Sequence, residues 1–163
     1  MGWTHDGQLD RFDAVLDELD PQPGDRLLDY GCGTGRLTEF LSPGVNYVGY
    51  DTAPGMVDRA HRDHPDRRFQ DWLPATGDFD LVCAIGPFNL PDRWSKEMTW
   101  YMLRRLWART TRRLVASLYA GTDEGCLVYT LDECERFAHA ETFYGRAFQW
   151  RCNDILIVLE RPA

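Results

Sequence analysis

A chain of 163 residues is long enough to bury one core and too short for two. Its 44% hydrophobic content and six tryptophans are those of a packed globular protein, and a net charge of −8 argues against a generic nucleic-acid binder, which needs a basic field over the phosphates. No apolar run approaches the roughly 20 residues of a membrane span, and the opening residues lack a basic-then-apolar leader, so a cytoplasmic protein is expected.

The chain alternates helix-like and strand-like segments, the pattern of a parallel sheet covered by helices. Residues 8–19 place Leu9, Phe12, Val15, Leu16 and Leu19 at helical spacing, and Pro21 and Pro23 close that helix. A strand follows at 26–30, then a glycine-rich turn, a helix over about 35–41 and a second strand at 46–51. Pro54 opens a helix that runs to His64, where Pro65 stops it. Strands are expected at 67–70 and 79–84, an amphipathic helix from about 94 to 109, and a strand at 112–118. A weaker helix at 131–139 precedes two last strands, 142–149 and 155–160, which the turn residues Cys152-Asn153-Asp154 join as an antiparallel hairpin at one edge. With no linker, repeat or low-complexity tract, residues 1–163 read as one domain, with 1–24 as an N-terminal helix segment.

The most informative stretch is Leu27-Leu28-Asp29-Tyr30-Gly31-Cys32-Gly33-Thr34-Gly35. An apolar run feeds an acid and then glycines at alternate positions, which opens backbone conformations closed to other residues and lets a ligand approach closely. A dinucleotide fold spaces its glycines G-x-G-x-x-G; here Arg36 stands where the third would fall, and the glycine comes one residue early, at Gly35. Cys32 occupies a turn position that wants a small side chain. Asp51 ends the second strand twenty residues after Gly31. A carboxylate there either accepts both ribose hydroxyls of a nucleoside or caps the helix opened by Pro54.

This D-x-G-x-G-x-G pattern resembles motif I of the class I S-adenosylmethionine (SAM) methyltransferases, and later segments fall in register with it. Asp51-Thr52-Ala53-Pro54-Gly55-Met56 is similar to the D-x-S-P-x-M of small methyltransferases, in which the residue at Met56 packs on the adenine face; a buried core methionine is the other reading. Phe69-Gln70-Asp71-Trp72 resembles the family's third segment, where the aspartate accepts from the adenine amino group and the next backbone N–H meets a ring nitrogen. After the fourth strand, the resemblance implies a backbone carbonyl near Ile85 or Gly86 for the methionine amino group, with Phe88, Asn89 and Trp94 toward the acceptor. Asn89 reads equally as a turn residue. Pro87-Phe88 partly echoes the N/D-P-P-Y/F loop of base amino-group methylases, but Ile85 and Gly86 replace its leading Asn or Asp, which counts against that substrate class.

Trp3, Gln8, Arg11 and Phe12 precede the turn as W…Q..RF does in a short single-domain subgroup. That subgroup also carries Gly-x-Phe-Asn after strand 4 and Asn-Asp before its last strand, matched by Gly86-Pro87-Phe88-Asn89 and Asn153-Asp154. The resemblance thus runs from Trp3 to Glu160. It implies an α/β fold with a Rossmann-like seven-stranded sheet in the order 3-2-1-4-5-7-6, the last strand antiparallel and helices on both faces. It implies SAM as cofactor, held by Asp29, Gly31, Cys32, Gly33, Gly35, Asp51, Thr52, Met56, Asp71, Trp72, Ile85 and Gly86. Arg11 either offers its guanidinium to the SAM carboxylate or sits in solvent on the helix face.

The expected function is methyl transfer to an unidentified acceptor, with a small molecule favoured. The alternatives are a catalytically silent SAM-binding protein and an RNA or DNA methylase using Arg104, Arg105, Arg109, Arg112 and Arg113; those arginines also suit a solvated helix end, where the macrodipole favours cations. Displacement at a sulfonium depends on orientation more than on acid–base help, so no catalytic residue is singled out beyond His5 and Tyr50 as conceivable bases. The five cysteines (Cys32, Cys83, Cys126, Cys134, Cys152) contain no C-x-x-C and read as reduced thiols, and the four histidines share no ligand spacing, so no metal is expected. The acceptor site is expected to be open, walled by the N-terminal segment and the 86–95 and 119–129 loops. A large acceptor suits it, or a small one enclosed by a second subunit of a homodimer.

Overall fold

The computed structural model describes residues 5–73, 78–142, 144–151 and 153–162; Trp3, Cys152 and the side chain of His5 lie outside the described residues. Seven strands form one sheet: β1 (Arg26–Tyr30), β2 (Asn46–Tyr50), β3 (Arg68–Gln70), β4 (Phe79–Ile85), β5 (Thr110–Tyr119), β6 (Arg146–Trp150) and β7 (Asp154–Glu160). Their spatial order is β3-β2-β1-β4-β5-β7-β6. The first five are parallel, and β7 runs antiparallel to both β5 and β6. The expected fold class, strand order and antiparallel last strand are those observed.

Strands covered on both faces read as unbroken apolar runs, and Leu27, Leu28, Leu81, Val82, Cys83 and Ala84 are all fully buried. Helices α1 (His5–Leu19) and α2 (Pro54–Asp63) enclose one face around Leu27, Tyr47, Leu81 and Cys83. On the other face, α3 (Lys96–Trp107) and α4 (Leu131–Glu141) enclose Val82, Ala84, Leu114 and Ala116. Ser95 caps α3 by accepting from the Met98 N–H at 3.2 Å, which sets the helix start two residues inside the expected 94. Thr130 and Glu133 form a reciprocal capping box at α4.

Two segments differ from expectation. The helix expected at 35–41 is a single 3-10 turn, Arg36–Phe40, entered from Gly35 at φ 79° and left through an extended Leu41. Ser42 precedes Pro43, and a residue before proline is pushed out of the helical region, so no second turn can follow. The strand expected to start at 142 starts at Arg146. Thr142 instead returns its N–H to Ala138 O to close α4, and Gly145 packs so tightly there that a Cβ would lie 2.0 Å from Ala138 O.

Helix α1 is fastened to the C-terminal hairpin by charge. Arg11 meets the Asp154 carboxylate through Nε at 2.9 Å and Nη2 at 2.7 Å, with side-chain exposures of 16% and 5%. Arg146 pairs with Glu18, Arg151 pairs with Asp10, and Arg113 bridges the Glu18 carbonyl and the Glu160 carboxylate.

The connection from β3 to β4 is only the eight residues 71–78, whereas a parallel crossover takes a dozen or more and is usually helical. Among the described residues, no helix lies between β3 and β4 to cover the strands on the side that carries α3 and α4. On that side the Gln70 carboxamide is buried, and its nitrogen has no hydrogen-bond partner, a deficit of about 1–3 kcal/mol. Among the described residues, no helix is long and apolar enough to cross a membrane.

The charged fastening leads to a graded expectation. Arg11→Met leaves the Asp154 carboxylate buried and unpaired, and the unfolding free energy in urea falls by about 3–5 kcal/mol. Arg146→Met removes a pair whose arginine is 45% exposed, and costs less than about 1 kcal/mol. Equal losses from the two variants would contradict this assignment.

Candidate functional site

The C-terminal ends of β1, β2 and β4 converge on the glycine turn, where Gly31, Gly33 and Gly35 have φ values of 81°, 55° and 79°. The turn is pinned to the end of β2. Tyr50 O accepts from the N–H groups of Gly31 (2.7 Å) and Cys32 (3.0 Å), and Asp51 Oδ2 accepts from that of Gly33 (2.9 Å). The Gly35 N–H turns back to Cys32 O at 2.9 Å. A phosphate cradle needs loop N–H groups free to point at the anion, and here those four are consumed within the fold.

Packing makes the glycines unequal. A Cβ on Gly31 would lie 2.6 Å from Pro87 Cβ, and one on Gly35 would lie 2.5 Å from the Phe69 ring. Gly33 has nothing within 4 Å. It borders a cleft of about 340 Å³ whose walls include Gln8 and Phe12 of α1, Asp29, Arg36, Met56 and the 85–90 segment, within the usual volume range of small-molecule sites.

Asp51 does two structural jobs, since its Oδ1 also accepts from the Ala53 N–H at 2.9 Å. A carboxylate offers about four lone-pair directions, so two bonds leave capacity for a ligand. It does not cap α2, whose N-cap is Ala53. Met56 is 46% exposed and lines the cleft, so it is not a core methionine. Thr52, Asp71 and Trp72 are exposed and lie outside this cleft's lining; Trp72 lines a second cavity. Ile85 and Gly86 line the cleft.

Asp29 is buried in a polar island. Its Oδ2 accepts from Tyr47 OH at 2.8 Å, and the Cys83 thiol donates to Oδ1 at 3.5 Å. Desolvation raises its carboxyl to about 6 against the lowering effect of those two bonds, with the Asp51 charge adding to the rise. Burial, followed by the charges of Asp29 and Asp51, pushes the Cys32 thiol far up, so it is no nucleophile at neutral pH. Tyr50 packs against Tyr30 with ring centroids 5.1 Å apart and planes tilted by 30°, and burial, then Asp51 and Asp71, raise its hydroxyl.

Several expected site residues are placed elsewhere. Arg11 neither faces the cleft nor points into solvent; it is engaged by Asp154 beside Trp150. Phe88 is a core residue rather than an acceptor contact, fully buried between Tyr30 (5.7 Å) and Trp94 (4.8 Å). Trp94 packs on Phe88 and is not part of the cleft wall. Asn89 takes the turn role: its Oδ1 accepts from the Tyr119 N–H at 3.2 Å and its carbonyl from Leu127 N–H at 2.9 Å, although it also borders the cleft. The 119–129 segment therefore supports Asn89 instead of walling the cleft. In the arginine cluster, Arg104, Arg112 and Arg113 pair with Glu141, Asp25 and Glu160.

Two contributions escaped the sequence reading. Arg36 Nη1 donates to Gln8 Oε1 at 2.7 Å, tying α1 to the glycine turn; its one visible signal was its place in the position of the missing glycine. Tyr47 reaches Asp29 because the residue opposite Asp29 on β2 is Gly49, whose absent side chain leaves the room.

A family model described as a methyltransferase domain matches residues 4–100, well over half of the chain. The chain belongs to the class I SAM-dependent methyltransferase family. SAM is the cofactor of this family. Among curated relatives, demethylmenaquinone methyltransferase of Beutenbergia cavernae is 41% identical over 75 residues, which is 42% of this chain and 31% of that protein. Ubiquinone biosynthesis O-methyltransferase of Azorhizobium caulinodans is 34% identical over 96 residues, 52% of this chain and 38% of the relative. The chain thus matches well under half the length of these relatives. Among solved structures, SAM-bound magnesium protoporphyrin IX methyltransferase of Synechocystis superposes with a TM-score of 0.77 at 17% identity, over 99% of this chain and 86% of that one. The N-methyltransferase NodS of Bradyrhizobium japonicum gives 0.72 at 15% identity, over 98% of both.

The glycines of the turn separate by substitution. Gly33→Ala meets only the left-handed φ, so it costs about 1–2 kcal/mol of stability and keeps the fold. Gly31→Ala drives a Cβ into Pro87 and lowers the melting temperature much further; similar melting temperatures for the two would overturn the distinction. Asp29 adds a pH test. A carboxyl raised from its usual value to about 6 binds its proton more tightly in the folded state, so stability falls as pH rises from about 4 to about 6 and is level above. Asp29→Asn removes that loss, and its advantage over the wild type in unfolding free energy grows across this window to at most about 3 kcal/mol. A difference that does not vary with pH would contradict the burial of a titrating Asp29.

Proposed function

We propose that the cleft binds SAM and that the chain transfers its methyl group to a small-molecule acceptor. The observation that carries this reading is the glycine turn, whose N–H groups are spent on Tyr50, Asp51 and Cys32 while Gly33 borders open space. That arrangement suits a nucleoside without a pyrophosphate. Asp51 retains lone pairs for ribose hydroxyls, and Met56 offers an exposed, polarisable thioether to the adenine face. The backbone at Ile85 and Gly86 is the partner for the methionine amino group, with Asp71 and the Trp72 backbone as outer adenine contacts.

Bound SAM supplies a methyl group already activated on its sulfonium. What remains for the chain is to orient the acceptor and exclude water, and orientation alone is worth up to about 7–11 kcal/mol. Gln8 and Phe12 on one side and Pro87 and Leu90 on the other form the walls that would do so. An acceptor that binds already deprotonated needs no general base, whereas a hydroxyl must give its proton to a base or to water. The relatives' names describe work on quinone precursors and a porphyrin, which supports a small acceptor here, as does the pairing of Arg104, Arg112 and Arg113 with carboxylates.

Thermal unfolding tests the binding half. SAM and its demethylated product raise the melting temperature, reaching about 2.7 kcal/mol of stabilisation at a hundredfold excess over Kd, whereas NAD does not, and Asp51→Ala abolishes the shift. Incubation with methyl-labelled SAM and pooled small molecules tests the transfer half: label enters a small-molecule product. Binding with no transfer to any acceptor would identify a silent SAM-binding protein instead.

A further inference from the structure

A cavity larger than the cleft at the glycine turn, about 1050 Å³, opens over β2 and β3 on the side opposite α2, where the described residues supply no helix between β3 and β4. Strand alternation builds its floor. Asn46 and Val48 on β2 and Arg68 and Gln70 on β3 share one face, while Tyr47 and Phe69 turn to the other and pack with α2. Phe79 and Trp72 flank this floor, and the cavity shares no lining residue with the cleft at the glycine turn.

Three features here lack an internal explanation. The Gln70 side chain is only 6% exposed, yet its amide nitrogen has no partner, and buried polar groups are almost always paired. The Trp72 indole is 56% exposed beside it. The Arg68 guanidinium makes no hydrogen bond or ion pair with any described residue. The neighbouring charges are otherwise occupied or balanced: Arg26 is held by Asp80, Arg67 donates to Val45 O, and Asp66 and Asp78 face the same space. With Arg26 neutralised by Asp80, the lining sets Arg67 and Arg68 against Asp66 and Asp78.

We propose that this cavity is a second binding site, for a small planar aromatic carboxylate. The carboxylate engages Arg68, whose fork matches it bidentately. The Gln70 amide donates to the same ligand, and the ring lies against Trp72. One unpartnered guanidinium suits a monoanion and not a polyphosphate, whose further charges would face Asp66 and Asp78.

The test is calorimetric titration of the intact protein, saturated with the demethylated cofactor, using 2-naphthoate and the uncharged 2-naphthamide. Saturable binding of 2-naphthoate is expected, weakened about tenfold by Arg68→Ala, by Gln70→Leu and by the change to the amide. Gln70→Leu exchanges an unpaired amide for an apolar group of similar size, so its melting temperature without ligand is no lower than that of the wild type. This separates lost binding from lost folding. The proposal is overturned by absent binding up to about 1 mM, by unchanged affinity in Arg68→Ala, by equal displacement with inorganic pyrophosphate, or by 2-naphthoate binding only when the cofactor product is left out. A wild-type dimer that Arg68→Ala dissociates in sedimentation would also overturn it, since a second copy would then cover the face.

Discussion

Three backbone N–H groups leaving the end of β1 find their partners at the end of β2, two on Tyr50 O and one on the Asp51 carboxylate. Backbone donors shut away from water must be paired, and these pairings leave the turn little choice of path. They demand left-handed backbone at Gly31 and Gly33, and they bring Gly31 so near Pro87 that only a hydrogen fits between them. The loop after β4 is thereby placed against the loop after β1, and the cleft is the gap they leave. Its shape is set by main chain before any side chain is considered.

Below that turn lies a concession. Asp29 occupies a position between β2 and β4 that an apolar residue would fill at lower cost, and it is reconciled with its surroundings by one tyrosine hydroxyl and one thiol. Proteins keep such strained or poorly solvated groups where function needs them. A carboxyl at the floor of a site proposed to hold a cationic cofactor fits that rule.

What the amino-acid sequence revealed and what it hid divide along chain distance. The glycine spacing, the apolar strands and the hairpin turn are local patterns, and the strand order, with its antiparallel last member, followed from them and from the family resemblance. Met56 was undecided between core and cleft until its exposure was seen, because a short helix presents both faces to a sequence reader. Arg11, Phe88 and Trp94 were misplaced for a different reason. Their partners, Asp154 for the arginine and Tyr30 for the phenylalanine, come from strands whose neighbours are known only after folding. The 3-10 turn at Arg36–Phe40 was legible in principle from Pro43, but helical spacing of Leu37 and Leu41 masked it.

The ion pair between Arg11 and Asp154 joins residues 143 apart in sequence. At translation rates of about 5–20 residues per second, the aspartate leaves the ribosome on the order of ten seconds or more after the arginine. Through that interval α1 can already rest on β4 and β5, but the buried carboxylate that holds Arg11 has yet to be made. Helix α1 thus leaves the ribosome well before its buried countercharge, and its fastening is completed only when the hairpin arrives.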